Sequence, residues 1–131
     1  MIIDDDVDDI DFFCEAIEKI FPFSLCLTAK NGVDALAKLD DLMDRVPDFI
    51  FLDLNMPCMD GKTCLAHLKK DIKLKNIPVI IYTTSSSQKH IKESRELGAS
   101  YFLTKPISFK DLCDKIKEAV EKIIKAGEIR S

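Results

Sequence analysis

The feature that most constrains this chain is the way its apolar residues are parcelled. Five short runs, "MII", "SLCLTA", "DFIFLDL", "IPVIIYTT" and "SYFLT", alternate with five stretches of helical periodicity. Runs that are apolar without strict alternation suit strands buried on both faces, and buried parallel strands need crossover helices between them. The runs end near residues 5, 29, 53, 83 and 105, about one βα unit apart. Between them, "DIDFFCEAIEKIF" places Ile10, Phe13, Cys14, Ile17, Ile20 and Phe21 at three- and four-residue steps, and Pro22 stops that helix. Asn31 is placed to cap a second helix, "GKTCLAHLKKD" forms a third, and "QKHIKESRELG" is closed by Gly98. The last helix is the clearest: Ser108 with Asp111 three residues later resembles a capping box, weaker than one with Glu or Gln, and Phe109, Leu112, Cys113, Ile116, Ala119, Val120, Ile123 and Ile124 form one stripe. The pattern predicts one α/β domain, a doubly wound parallel sheet covered on both faces.

At 131 residues the chain has room for a single core. Its 23 acids against 19 bases give a net charge of -4, which disfavours nucleic acid as a partner. No apolar run approaches the roughly 18 residues of a membrane span, and the start "MIIDDDVDD" lacks a basic leader region, so no membrane partner and a cytoplasmic location are expected. Five cysteines, Cys14, Cys26, Cys58, Cys64 and Cys113, form no CxxC pair, and His67 and His90 stand apart from other metal-ligating residues. Free, partly buried thiols and ordinary packing histidines are expected.

Sheets of this type bind ligands outside the carboxyl ends of their strands. The polar residues at those ends are Asp4 and Asp5, then Asp53, then Thr83 and Thr84, then Lys105. Clustered carboxylates repel one another unless a cation neutralises them, and an all-oxygen set suits Mg²⁺, with Mn²⁺ also acceptable. A lysine and a hydroxyl beside such a metal make an anion site with the features a phosphoryl group requires. A free oxygen of Asp53 is then a nucleophile that yields an acyl phosphate.

"IIDDD", "FLDLNMPCMDG", "VIIYTTSS" and "GASYFLTKP", in this order, resemble the receiver domain of two-component response regulators. The resemblance implies a flavodoxin-like (βα)5 fold with strand order 2-1-3-4-5, spanning residues 1–126, and a frayed tail at 127–131. It implies that Asp53 is the phosphoacceptor. Asp5, Asp53 and the backbone carbonyl of Asn55 would ligate the metal, with Asp4 completing the acidic pair through water. Thr83 would be the switch hydroxyl, Lys105 the phosphate-binding lysine and Phe102 the aromatic switch position, and the Lys105–Pro106 peptide bond would be cis. Asn55, Thr84 and Ser85 would tune dephosphorylation, with threonine at 84 where alanine is frequent. The implied donor is a sensor histidine kinase or a histidine phosphotransfer protein. Output would pass to a downstream protein through the face of helix 4, strand 5 and helix 5. No output segment fits beyond residue 126 or so, so a stand-alone regulator is expected. It would catalyse only its own phosphotransfer and slow autodephosphorylation.

Two other classes use related features. A haloacid-dehalogenase-like phosphatase needs a second aspartate two residues beyond its nucleophile, and here that position is Asn55. A degenerate receiver acting without phosphorylation would not need Asp5, Asp53, Thr83 and Lys105 together.

Overall fold

A computed structural model describes residues 1–42, 45–56, 59–84 and 87–127. Strands and helices alternate along the chain: β1 (Ile2–Ile3), α1 (Val7–Ile20), β2 (Thr28–Ala29), α2 (Gly32–Asp41), β3 (Ile50–Leu52), α3 (Gly61–Lys70), β4 (Val79–Thr83), α4 (Gln88–Glu96), β5 (Tyr101–Thr104) and α5 (Phe109–Lys125). The five strands form one parallel sheet in the order β2-β1-β3-β4-β5, with Ile3 opposite Leu52, Leu52 opposite Ile81 and Thr83 opposite Thr104.

The period-two alternation of the strands divides their apolar residues between two cores. Ile3, Ile50, Leu52, Val79 and Ile81 face one side, where they meet Ala35 and Leu39 of α2 and Leu65 and Leu68 of α3. Ile2, Phe51, Ile80, Tyr82 and Leu103 face the other, against Phe13 and Ala16 of α1 and Leu112, Ile116 and Ile123 of α5. Burying each large aliphatic side chain contributes on the order of 1.5–3 kcal/mol, so both layers hold the sheet strongly.

Each helix begins on a side chain that accepts from an otherwise unpaired backbone N–H. The caps are Asp6, Asn31, Asp60, Ser87 and Ser108. The expected Asn31 and Ser108 caps therefore form. Gly98 has φ 105°, a conformation that suits glycine, and its N–H donates to Arg95 O just beyond α4. One expectation is too generous: of "SLCLTA", only Thr28 and Ala29 pair, because this edge strand has a single neighbour, itself two residues long. No helix among the described residues is long and apolar enough to cross a membrane.

Candidate functional site

Asp4, Asp53 and Lys105 each stand one residue beyond the end of a strand, and Thr83 is the last residue of its own. Ladder bonds fix their positions: Asp4 N–H donates to Ala29 O at 3.0 Å, Asp53 N–H to Ile3 O at 3.0 Å, and Lys105 N–H to Thr83 O at 2.8 Å. Four separate strands thereby aim polar groups at one end of the sheet.

The acids converge. Asp4, Asp5 and Asp53 each offer a carboxylate oxygen within 4.8 Å of the others, with Asp4 and Asp53 buried and Asp5 exposed. Local turns orient two of them: Asp6 N–H donates to Asp4 Oδ1 at 3.0 Å, and Asn55 N–H to Asp53 Oδ1 at 3.2 Å. Burial pushes the Asp4 carboxyl up to about 6, partly offset by Lys105 and the Asp6 N–H, with the Asp53 charge adding to the rise.

Lys105 closes the cluster. Its Nζ lies 2.7 Å from Asp4 Oδ2, 2.8 Å from Asp9 Oδ2 and 3.2 Å from Asp53 Oδ2. It also sits 5.4 Å from the centroid of the Tyr82 ring. Burial opposes the ammonium charge, but the carboxylates outweigh it and hold the Lys105 pKa above its ordinary value. Beside this group, the Thr83 hydroxyl is fully buried and has no hydrogen-bond partner among the described residues. A buried hydroxyl in that state costs on the order of 1–3 kcal/mol.

The remaining expected residues lie around this centre. Phe102 is half-buried opposite Ile81 and packs on the core beneath α2 and α3. Asn55 and Thr84 are exposed, and Ser85 lies outside the described residues. The Lys105–Pro106 bond corrects an expectation: no peptide bond among the described residues is cis. Trans is intrinsically favoured before proline by roughly 0.5–1 kcal/mol. With this bond trans, Lys105 still contacts Asp4, Asp9 and Asp53.

Sequence alone does not single out Asp9, which reads there as one member of a solvated acidic run. The signal is its place in the first turn of α1, directly after the acids that end β1. Gly61 reads as turn chemistry, and its role is closer to the site. Its N–H donates to Leu54 O at 3.0 Å, and a Cβ there would lie 2.3 Å from Asp53 O. Only glycine lets α3 start this near the Asp53 backbone.

A family model for the response regulator receiver domain matches residues 1–117. Protein PilG of Pseudomonas aeruginosa is 36% identical over 94 residues, covering 72% of this chain and 67% of PilG. The crystal structure of the phosphorylated cyanobacterial phytochrome response regulator RcpA is similar with a TM-score of 0.82 at 31% identity, covering 93% of this chain and 89% of that one. The Mn²⁺-bound form of response regulator Rcp1 is similar with a TM-score of 0.72 at 28% identity, covering 89% of this chain and 87% of that one. The chain spans between 12% and 67% of the length of the curated relatives it matches. Sheet order, strand-end acids and these matches agree: the chain belongs to the response regulator receiver domain family of two-component signal transduction.

Proposed function

We propose that the protein accepts one phosphoryl group on Asp53 from a phosphohistidine of a sensor kinase or a histidine phosphotransfer protein, and signals by phosphorylation-dependent partner binding. The observation that carries this reading is the convergence of three carboxylates, a buried ammonium and an unpartnered buried hydroxyl at the carboxyl end of one sheet.

The donor set fits a hard divalent cation. The oxygens of Asp4, Asp5 and Asp53 lie close enough to share one ion, and the raised Asp4 carboxyl records the repulsion and burial that positive charge would relieve. Asp5, Asp53 and the backbone carbonyl of Asn55 would hold Mg²⁺ or Mn²⁺ directly, and Asp4 would act through water. When bound, the cation neutralises the acids and draws charge from the phosphoryl oxygens.

The chain's own groups do the rest. An oxygen of Asp53 attacks phosphorus in line with the bond to the donor imidazole; the O–P bond forms as the N–P bond breaks. Lys105 exchanges its contact with Asp53 for the transferred group, as a point charge. Thr83 donates its hydroxyl to a phosphoryl oxygen, which ends its unpartnered state. Movement of Thr83 opens space for Phe102, which lies two residues before Thr104, the partner of Thr83 in the β4–β5 ladder, and so biases the surface formed by α4, β5 and α5 on which a downstream protein docks. Asn55, Thr84 and Ser85 border the approach of water and set the rate of hydrolysis. With Asn55 in place of a second acid, turnover of external phosphate esters has no general acid. The protein would thus act as a signalling regulator rather than an enzyme with an external substrate.

The test is labelling by a small phosphodonor with and without Mg²⁺. One phosphoryl group taken up with Mg²⁺, and lost in Asp53→Ala, is the expected result. Continued turnover would mark a phosphatase, and full labelling of Asp53→Ala would refute the acceptor.

A further inference from the structure

Cys14 lies midway along α1 and Cys26 in the segment that enters β2, and their Sγ atoms are 2.7 Å apart. A disulfide bond is about 2.04 Å long, so the two sulfurs need little motion to join. Both thiols are free and half-buried, whereas Cys64 and Cys113 are buried in separate cores. The two carriers are held from opposite sides. Phe13 and Ala16 anchor α1 in the core, and Ile2 N–H donates to Leu27 O at 2.8 Å, fixing the residue after Cys26. Cys26 also lines a groove of about 400 Å³ bounded by Phe13, Ile17, Phe21 and Phe49.

We propose that Cys14 and Cys26 form a reversible disulfide, a modification site that ties α1 to the entry of β2 and is oxidised by a small-molecule disulfide. Cys14, as thiolate, attacks one sulfur of the small disulfide, breaking its S–S bond and releasing one thiol. Cys26 then loses its proton to solvent and attacks the Cys14 sulfur, forming the protein disulfide and expelling the second thiol. The protein loses two hydrogens and the small disulfide gains them. Burial, together with its contact to Cys14, pushes the Cys26 thiol up to about 12. The site is distinct from the strand-end acids and does not depend on phosphoryl transfer.

The experiment uses the full chain incubated with oxidised glutathione, quenched by alkylation and cut with trypsin without reduction. Cleavage after Lys19 and Lys30 separates the two cysteines. Mass spectrometry should find peptides 1–19 and 20–30 joined as the main product. Because the bond closes a short loop in the unfolded chain, the oxidised protein should melt roughly 5–15 °C higher than the reduced form, and reductant should reverse the shift. Cys58→Ser should keep the joined peptides and Cys14→Ser should lose them. Glutathione adducts on Cys14 or Cys26 with no joined product, or pairing of either with Cys58, would overturn the proposal. The parent chain alone decides the matter, even where a serine variant fails to fold.

Discussion

Lys105 Nζ donates to Asp9 Oδ2 at 2.8 Å, joining the end of β5 to the first turn of α1 across 96 positions of sequence. The ammonium that we propose contacts the phosphoryl group on Asp53 is therefore already engaged by a side chain that is neither the proposed acceptor nor part of the acidic triad. Under the proposed function Asp9 would compete with the incoming anion for Lys105 and repel that anion as well.

The first prediction follows from this competition. The Asp9 side chain is about one-third exposed, so its pair with Lys105 contributes only on the order of 0.2–1 kcal/mol after solvent screening. Asp9→Asn should bind beryllofluoride, a phosphoryl mimic, about two- to fivefold more tightly in the presence of Mg²⁺, within that range of energies. Titration followed by backbone NMR measures it. Weaker binding by the variant would mean that Asp9 positions Lys105 for the anion.

Asp4 supplies a pH dependence. Its carboxyl is raised from the usual 3.8 to about 6 in the folded chain, chiefly by burial. The folded state therefore binds this proton more tightly than the unfolded state. The resulting stability is present below about pH 4 and is lost as the pH rises through about 6. Asp4→Asn, which cannot ionise, should match the parent near pH 4 and exceed it by about 2–3 kcal/mol above pH 7, since a tenfold difference in proton affinity is worth roughly 1.4 kcal/mol. Urea unfolding at the two pH values checks this. Saturating Mg²⁺ should narrow the gap at high pH by stabilising the parent more than the variant.

How much of this was legible in the sequence depends on range. Strand and helix identity, sheet class and the caps at Asn31 and Ser108 rest on local periodicity and on side chains that bond within three residues, and they are found as expected. The acids, Thr83 and Lys105 were legible because the fold sends strand ends to a common edge, so position along the chain predicts convergence. The Asp9–Lys105 pair and the Cys14–Cys26 contact were not, since each depends on the rotation of α1 over the sheet. The trans bond before Pro106 differs from the resemblance, and local energetics favour it.

A third prediction concerns Gly61. An added Cβ would lie 2.3 Å from Asp53 O and 2.5 Å from Leu54 Cα, and both are backbone atoms that cannot turn aside. Gly61→Ala should cost about 1–3 kcal/mol or more and slow labelling of Asp53 by moving its carbonyl. Gly32→Ala is the comparison, because there the nearest atom is the far-end Sδ of Met59 at 2.8 Å, with its Cβ and Cγ at 3.0 Å, and no backbone atom is among the three nearest. Urea midpoints for the two variants should separate clearly, with Gly61→Ala the lower. Equal midpoints would show that α3 shifts without cost.

The last prediction concerns the lifetime of the phosphorylated state. Hydrolysis needs a water in line with the breaking bond, opposite the Asp53 oxygen, and residues along that approach place or obstruct it. Thr84 is exposed directly after Thr83, at the end of β4, with a branched side chain that is stiff about χ1. Neither it nor Asn55 carries an acid able to orient the water. By the proposed function Thr84 obstructs this approach, so Thr84→Ala, which leaves the carboxylates and Lys105 in place, should shorten the lifetime several-fold while leaving the extent of labelling at saturating donor unchanged. The measurement is loss of phosphorylated protein after donor removal at fixed Mg²⁺. An unchanged or longer lifetime would defeat the steric argument and assign the timing to a separate phosphatase.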